Sequence, residues 1–583
     1  MYDVVIIGSG ASGGAVAYTL CKAGYKVAVL EKGRLMKREE FSKDELAYCR
    51  RDLVTPSLFD EYHTIEEKVE GKWIATPTYE SGWSFWNGNI VGGSSNFMSG
   101  MLHRLHPDDF RLKSKYGEIK GANVVDWPIT YSELEPYYAL AEELVGISGH
   151  YEEHPFEPPR STPNFTQAPT KENAVVKLLD KSCKALDITP LVTPRAVLSK
   201  DKAGRDACYY SNLCGSYGCS SGAKGSSREA LLKPALATGN LTLLTNTHVK
   251  SLHTSLKDKV DYAVVVDTIT GKEKKIEGKM FVVAAQAHES ARLLLNSANN
   301  HHPDGLGNSS GELGKNLIFS GGGSGQGELH KDSLKEIKFD DLMTTGLFVN
   351  RSVLDWYFID HWWDGKFKGG SVEFMFEHQN IITRARKNGY ENGKLLWGKA
   401  LGDRIVKRFS EQKNIRFEIF NDWLPNDDCF VALDPTHKDK YGMPVGKLRV
   451  EGHPQDVKVG KYIAEKCEKI LEEMGAKNIY SGVSSAPPQN LVAGGCRFGD
   501  DPKTSVLNKY CRSHDVKNLF VADASFMPTG GSVAYTWTIY ANAFRVADTI
   551  VEELKNISLG KYLVICKRLF VTICYLLIVS CYN

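Results

Sequence analysis

The 583-residue sequence has almost no excess of one charge. It contains 72 Lys and Arg against 70 Asp and Glu, a net charge of +2, and these residues are spread along the chain. A protein that binds nucleic acid needs a concentrated basic surface to neutralise phosphates. The balance therefore excludes nucleic-acid binding and is typical of an ordinary globular protein, as are the 42% apolar and 24% charged residues.

Internal repeats and low-complexity segments are also lacking, which excludes repeat architectures. A chain of this length exceeds one ordinary domain, so we expect two closely connected domains or one large domain with insertions.

No secretory signal precedes the thirteen cysteines. Residues 2–7 already have the pattern of a buried strand, which leaves no room for a charged n-region and a cleavage site. We therefore expect a cytoplasmic location, with cysteines that are free thiols or ligands rather than a disulfide framework. Removal of a leader from a longer chain would reverse this expectation.

The C-terminal tail, residues 556–583, holds a long apolar run. Residues 562–582 are almost wholly apolar except for Lys567 and Arg568. A membrane-spanning helix needs about 20 apolar residues, and the run after Arg568 is shorter than that. The alternatives are a membrane tether, an amphiphilic helix that binds a partner, and a translated stretch with no selected role.

The first thirty-one residues have the pattern of a nucleotide-binding unit. A strand, a glycine turn, a helix and a second strand follow in order, with GxGxxG at Gly8, Gly10 and Gly13. These glycines permit a tight turn, close approach of the backbone to a pyrophosphate, and packing of the helix on the strand. The pyrophosphate then lies at the helix N-terminus. Glu31 ends the second strand, where a carboxylate accepts from ribose hydroxyls. The motif alone does not separate NAD from FAD.

Later segments indicate how the chain is organised. We expect a helix at about 132–146, strands at 241–252 and 262–270, and an antiparallel sheet at about 320–480 that forms a pocket wall. A further buried strand at 519–528 precedes a long helix. Because nucleotide-type strands lie at both ends of the chain, we expect the nucleotide domain to be discontinuous.

Several blocks of sequence resemble one enzyme family. VGGSSNFMSGMLHRLHPDDFRLKSKYG, DWPITYSELEPYY, ELGKNL and NLFVADASFMPT, together with GSGASGG and Glu31, are similar to blocks of the glucose–methanol–choline (GMC) oxidoreductases. The details are most similar to bacterial sugar and polyol dehydrogenase flavoprotein subunits of the glucose, gluconate and glucoside types. The resemblance extends from residue 2 to about residue 552.

The resemblance implies an α/β fold, α+β overall, in which an FAD-binding Rossmann-like domain carries an antiparallel-sheet substrate domain. The FAD-binding domain would comprise residues 1–150, 195–318 and 485–555, and the substrate domain residues 151–194 and 319–484. The implied function is oxidation of CH–OH groups in a sugar, glycoside or polyol, with hydride transfer to flavin N5. The implied cofactor-binding residues are Gly8, Gly10, Gly13, Glu31, Gly92, Gly93, Ser94, Val249 and Asp523.

Three cysteines, Cys208, Cys214 and Cys219, lie within twelve residues of one loop. Thiolates on such a loop can ligate an iron–sulfur cluster, and certain related sugar dehydrogenases carry a three-iron cluster in this place that passes electrons to a cytochrome subunit. The first spacing matches theirs, but the second is one residue longer. Zinc is less suited, since its tetrahedral sites need four ligands. The alternatives are a cluster that serves a cytochrome or quinone acceptor, and a loop of part-buried thiols.

The loop from Pro488 to Val506 holds one Cys, one Arg and two Asp but no His, Glu or Tyr, which raises the question of what would take a proton at an active site beneath it. The family places a His in this loop and a His or Asn where the last helix opens. Ungapped alignment puts Leu491 and Ala534 at these positions, and neither side chain can accept a proton. An inserted residue would bring in Gln489 or Asn490, but amides are not proton acceptors at neutral pH.

Other polar groups are candidates for this end of the site. The permanently charged Arg497 would favour an anionic substrate or the reduced flavin. A His from elsewhere in the chain could supply the base. The remaining candidates are Tyr535, Cys496, His103, His106 and His288. The alternative to a dehydrogenase is a flavin-containing lyase, a photoenzyme or a non-catalytic flavoprotein subunit.

Overall fold

Two large β-sheets organise the chain in a computed structural model, which describes residues 1–46, 54–211, 213–343, 348–362, 365–377, 380–486, 489 and 491–557. The predicted tail beyond residue 557 and the candidate Asn490 lie outside these residues.

The strands are named in chain order. They are β1 Tyr2–Ile7, β2 Val27–Leu30, β3 Thr64–Val69, β4 Lys72–Pro77, β5 Pro190–Val192, β6 Leu241–Leu244, β7 Thr247–His253, β8 Tyr262–Asp267, β9 Glu273–Val283, β10 Gly321–His330, β11 Phe348–Val353, β12 Phe358–Trp362, β13 Gly365–Lys368, β14 Gly370–Phe376, β15 Tyr390–Glu391, β16 Lys394–Leu395, β17 Gln412–Asn421, β18 Phe430–Lys438, β19 Pro444–Arg449, β20 Lys477–Gly482 and β21 Leu519–Val521.

The helices are named in the same way. They are α1 Ala11–Lys22, α2 Thr78–Ser81, α3 Leu112–Tyr116, α4 Tyr131–Ala141, α5 Val175–Ala185, α6 Lys233–Leu236, α7 Ala287–Asn296, α8 Ile381–Asn388, α9 Gly398–Ser410, α10 Pro454–Glu473 and α11 536–557.

The seven-stranded sheet carries the nucleotide unit at its centre. Its order is β6-β2-β1-β9-β8-β7, with β21 also paired to β9. Strands β6, β2, β1, β9 and β21 run parallel, whereas β7 and β8 are antiparallel additions. The central residues Val4–Ile7 and Val27–Leu30 are buried, which is why both strands are continuous apolar runs in the sequence.

The six-stranded sheet has the order β20-β10-β17-β14-β11-β5 and is antiparallel throughout. Helix α10 packs against β10 and β17. Apolar side chains on that side, among them Phe417 and Ile419, share one core with Ile463 of α10. Because side chains alternate along a strand, the residues between them point away from α10.

A third sheet of four strands, β18-β19-β3-β4, joins distant parts of the chain. Every strand of the seven-stranded sheet falls within the ranges predicted for the FAD-binding domain, and every strand of the six-stranded sheet falls within the substrate-domain ranges. The four-stranded sheet takes two strands from each set, so the division into domains stays a prediction.

The predicted helix at 132–146 is α4, which continues as a wider turn over Glu142–Gly146. Thr130 caps it, since its hydroxyl accepts from the Glu133 N–H. The predicted long C-terminal helix is α11, which begins at residue 536. Within the described residues, no helix is both long enough and apolar enough to cross a membrane.

The turn between β9 and α7 carries backbone strain at Gln286, which has φ 84° and ψ 147°. This region of backbone space is essentially restricted to glycine, and a side chain there costs about 1–3 kcal/mol. The Gln286 N–H donates to Asp523 Oδ2 at 3.0 Å, and the Gln286 amide donates to the Phe85 carbonyl at 3.4 Å. The neighbouring contacts therefore hold Gln286 in an unfavourable conformation.

We expect Gln286→Gly to stabilise the protein, because relief of this strain exceeds the entropic cost of a new glycine, about 0.5–1 kcal/mol. A net gain of about 1 kcal/mol predicts a rise in melting temperature of roughly 1 °C, since the entropy of unfolding grows with chain length. Gln286→Ala is the control, since it loses the side-chain hydrogen bond but keeps the strained Cβ. A melting temperature for Gln286→Gly that is no higher than that of Gln286→Ala would contradict this account.

Candidate functional site

A cavity of about 570 Å³ runs from the glycine turn after β1 to the six-stranded sheet. Its walls come from the carboxyl ends of β1, β2 and β9, the segment 85–102, strand β17 and the start of α11. In parallel sheets, ligands bind at the carboxyl ends of the strands. The cavity therefore lies where the sequence predicts a nucleotide.

The glycine turn is shaped by close backbone contacts. Gly8 has φ 100°, and a Cβ there would lie 2.3 Å from the Ala284 carbonyl oxygen. A Cβ at Gly13 would lie 2.1 Å from the Gly8 oxygen, so Gly13 allows α1 to pack on β1. Gly10 differs, because it lines the cavity and its Cβ would meet no atom within 4 Å. No side chain caps α1 at Gly10, which leaves its first amides available to an anion.

Glu31 lies at the far side of this turn and is only 6% exposed. One carboxylate oxygen accepts from the Ser9 N–H at 3.1 Å and from the Ser9 hydroxyl, and the other accepts from the Gly33 N–H at 2.8 Å. Burial raises the pKa of Glu31, and these hydrogen bonds oppose the rise. Glu31 lines the cavity, so it can also accept from a ribose hydroxyl.

The segment after Ile90 forms the opposite wall. Gly93 and Ser94 line the cavity, and a Cβ at Gly93 would lie 3.3 Å from the Cα of Gly10. The Gly92 N–H donates to the Ser9 hydroxyl at 2.9 Å, so Gly92 supports the turn without lining the cavity. This close pairing leaves a narrow channel at Gly10, which fits a pyrophosphate.

Val249 of β7 and Asp523 after β21 also line the cavity. Asp523 accepts from the Gln286 N–H and the Ser290 hydroxyl with one oxygen. Its other oxygen accepts from the Ser525 N–H at 3.0 Å and the Ser525 hydroxyl at 2.6 Å. Asp523 therefore binds together two turns that border the cavity. With the open turn at Gly10, this arrangement fits bound FAD.

Leu491 and Ala534 line the other end of the cavity, as the alignment predicts, and Tyr535 lies beside them. The Tyr535 hydroxyl donates to the Leu491 carbonyl oxygen. Burial raises the pKa of Tyr535 well above its ordinary value. Neither apolar side chain can take a proton, and the tyrosine hydroxyl is already engaged.

Gln489 points away from this position. Its side-chain oxygen accepts from the Ser84 N–H at 2.9 Å. It does not line the cavity, so Gln489 is not placed to orient a substrate there.

Arg497 and Cys496 also lie outside the cavity lining. Arg497 forms an ion pair with Glu312 at 2.8 Å, and its Nε donates to the Thr504 carbonyl at 3.0 Å. The Cys496 side chain is fully buried, and burial raises the pKa of its thiol. The expectation that Arg497 contacts an anionic substrate is corrected by this placement, because its charge is neutralised elsewhere.

The three candidate histidines are not cavity-lining residues. His103 contacts Glu373 at 2.5 Å, and the Glu373 carboxylate raises the pKa of His103 although burial opposes it. His106 Nδ1 accepts from the Asp108 N–H at 3.2 Å and caps a short turn. Burial lowers the pKa of His288 to about 3. These three histidines therefore do not supply a base to the cavity.

Four charged residues that the sequence did not indicate line the cavity, of which Lys32 and Glu289 lie outside the six-stranded sheet, whereas the other two, Arg416 and Glu418, belong to β17. Both lie two residues apart on the strand face turned away from α10. The sequence signal for these two residues was weak. The segment NIRFEIFN shows only the alternation of a strand, with its charged residues on one face.

The three cysteines are free and half-buried on one loop. The Tyr210 N–H donates to Cys208 Sγ and the Lys224 N–H to Cys219 Sγ, each at 3.4 Å. Burial raises the pKa of Cys208 to about 11, whereas the Lys224 ammonium and nearby hydrogen bonds outweigh burial and lower the pKa of Cys219. Among the described residues, these three thiols do not form a group of ligand atoms within 4.8 Å of one another, so the iron–sulfur cluster stays a prediction.

Another group of potential metal ligands among the described residues is His63, His288 and Glu289. His63 Nδ1 accepts from the Gly446 N–H at 3.1 Å, so its Nε2 carries the proton and donates to Glu289 at 3.0 Å. A metal would need that nitrogen deprotonated. The hydrogen bonds fit a buried His–carboxylate pair, and this group does not fit a metal.

Comparison with known proteins agrees with this geometry. A family model described as GMC oxidoreductase matches residues 2–319, and a second one with the same description matches residues 425–543. Paromamine 6'-oxidase of Streptomyces fradiae is 30% identical over 95% of this chain and 92% of its own. 2-Methyl-1,2-propanediol dehydrogenase of Mycolicibacterium austroafricanum is also 30% identical, over 95% of this chain and 96% of its own.

A solved structure shares the fold at low identity. A variant of formate oxidase from Aspergillus oryzae RIB40, studied for its FAD modification, superposes with a TM-score of 0.59. The match covers 95% of this chain and 99% of that chain at 15% identity. It shows the fold alone, and it confirms the predicted fold class.

We expect Gly10→Ala and Gly13→Ala to fail in different ways. The Gly10→Ala methyl has room in the protein but fills the cavity, so the apoprotein should fold with an unchanged melting temperature and bind FAD weakly. The Gly13→Ala methyl meets a backbone oxygen, so the fold itself should be destabilised. Thermal melting of apoprotein and FAD titration separate the two variants. Tight FAD binding by Gly10→Ala would contradict the proposed position of the pyrophosphate.

Proposed function

The chain belongs to the GMC oxidoreductase family, FAD-dependent oxidoreductases that act on CH–OH groups, and we propose that it oxidises a small uncharged polyol, sugar or glycoside. The observation that carries this proposal is that one cavity joins the Gly10 turn to a polar wall at Arg416 and Glu418. The relatives support oxidation of a hydroxyl group, since one is named as a 6'-oxidase of paromamine and the other as a dehydrogenase of a propanediol.

The chain's residues have distinct tasks in this reaction. Gly10 and Glu31 bind the two halves of the adenosine diphosphate part, and Asp523 fixes the turns beside the rest of the cofactor. Bound flavin supplies a hydride acceptor for the carbinol carbon. Leu491, Val492 and Ala534 supply an apolar surface that excludes water from this end of the cavity. A base must still take the hydroxyl proton.

The charges of the cavity support an uncharged substrate. Arg416 and the Glu418 carboxylate lie on the same strand face and compensate each other. Neither a carboxylate nor an ammonium substrate would meet an unbalanced opposite charge there. Several hydroxyl groups, in contrast, can donate to one residue and accept from the other.

A second, finer proposal concerns electron transfer. We infer that Cys208, Cys214 and Cys219 bind an iron–sulfur cluster that delivers electrons to an external cytochrome or quinone. Its support is the shared loop, the N–H donors to sulfur and the buried Lys224 cation. A cytoplasmic location with membrane association through the tail remains a proposal of the same kind.

The proposed activity predicts a yellow protein that releases FAD on denaturation. Under anaerobic conditions, a panel of 1,2-diols, sugars and glycosides should include compounds that bleach the flavin absorbance, whereas carboxylic acids should not. Photoreduction with a chemical donor is the control that the flavin is competent. Bleaching by no alcohol would favour the alternative, a lyase, photoenzyme or non-catalytic subunit.

The cluster proposal predicts stoichiometric iron after anaerobic purification, with an EPR signal from the oxidised protein. Cys208→Ser should lose the iron, because it removes one ligand. Cys496→Ser is the matched control, since this buried thiol lies outside the loop and should keep full iron content. If the wild-type protein contains full FAD but no iron, the cluster proposal is wrong and the three cysteines are ordinary part-buried thiols.

A further inference from the structure

Strand β17 brings a carboxyl group to the wall of the cavity. Ile415, Phe417 and Ile419 pack in the core that contains α10, and the intervening Arg416 and Glu418 line the cavity. Leu491 and Ala534 line the same cavity. A titratable group is therefore present in the space from which the expected His and Asn side chains are missing.

The Glu418 carboxylate is not tied up by other side chains. Its cross-strand partner in the β14–β17 register is Glu373. Glu373 is engaged on both oxygens, by His103 Nε2 at 2.5 Å and by the Thr193 hydroxyl at 2.9 Å. No hydrogen bond to the side chain of Glu418 is found in the described part of the chain, so its oxygens are available to a ligand.

The groups around Glu418 shift its pKa upward. Burial raises the pKa of Glu418, Arg416 opposes the rise, and the Glu373 charge adds to it. On the other side, β10 places the uncharged Ser324 opposite Glu418. Tyr535 in the same cavity is neutral, because burial raises its pKa well above the ordinary value. A base is most effective when its pKa lies near the working pH.

We propose that Glu418 is the general base of the oxidation, and that it acts in place of the side chains missing at Leu491 and Ala534. The substrate hydroxyl donates to a Glu418 carboxylate oxygen and transfers its proton there. The C–H hydrogen leaves with its electron pair to the flavin acceptor, and the C–O bond becomes a carbonyl. Two hydrogens leave the alcohol, so the step balances. This inference rests on the proposed function.

The first test measures binding without turnover. Pinacol, a diol whose carbinol carbons carry no hydrogen, cannot be oxidised but can donate its hydroxyls. A carboxylate accepts such a bond better than the acid does. Because ionisation of Glu418 increases as pH rises through its raised pKa, pinacol affinity, followed by flavin absorbance, should rise about fivefold with pH. Glu418→Gln should abolish this pH dependence.

Two further variants identify the titrating group. Arg416→Gln should move the midpoint to higher pH, since it removes the cation that lowers the pKa of Glu418. Glu411→Gln is the matched control, because this exposed residue just before β17 does not line the cavity, and it should leave the curve unchanged. A wild type whose pinacol affinity does not vary with pH would overturn the proposal.

The second test uses the fastest alcohol of the panel in anaerobic stopped flow. Loss of a general base lowers the rate of flavin reduction by about 10²–10⁴-fold, so Glu418→Gln should show this loss while its substrate affinity falls by no more than the roughly fivefold change expected for pinacol. Glu418→Asp should be slower than wild type but keep the pH dependence. If the flavin of Glu418→Gln is reduced at a rate within about threefold of the wild-type rate, the proposal is wrong. If no alcohol reduces the flavin, the proposed function fails, while the pinacol curves still decide the role of Glu418.

Discussion

The carboxylate of Asp523 is the contact on which the cavity depends. One oxygen binds the turn between β9 and α7 through Gln286 and Ser290, and the other binds the turn after β21 through Ser525. The turn after β21 also holds the loop that contains Leu491, because the Gly494 N–H donates to the Ala524 carbonyl. Burial raises the pKa of Asp523, so its four hydrogen bonds are what keep a buried carboxyl satisfied.

Local patterns in the sequence explain why much of the fold could be predicted. The glycine turn, its strand and its helix are contiguous, and two of its glycines are required by close contacts, Gly8 with Ala284 after β9 and Gly13 with Gly8. The apolar strands at both ends of the chain predicted one discontinuous sheet, and β21 indeed pairs with β9. The four-stranded sheet was not predictable, since β3 pairs with β19 about 380 residues later.

The candidate site was less predictable, because its charged residues form ion pairs with residues that lie far away in the sequence. Arg497 follows a glycine-rich loop that ends the cavity, yet its charge is taken by Glu312. His103 is close in sequence to the cavity-lining Met101, yet Glu373 of β14 binds it. Glu418, in contrast, was only one charged residue in an alternating strand. Its importance follows from the register of β14 and β17, which no local pattern contains.

The position of a base on β17 also explains how a site of this kind can lose its histidine. Arg416 and Glu418 face the cavity while Ile415, Phe417 and Ile419 pack in the core with α10, so residues 416 and 418 can change in polarity without disturbing that core. The loop at Leu491 has no such freedom, because Leu491 has φ 54° and its carbonyl is bound by Tyr535. A strand wall can therefore gain a proton acceptor by a single substitution, whereas the loop must keep its conformation. Loss of polarity at Leu491 and Ala534 is then compatible with a working oxidase or dehydrogenase, since the proton has another acceptor in the same cavity.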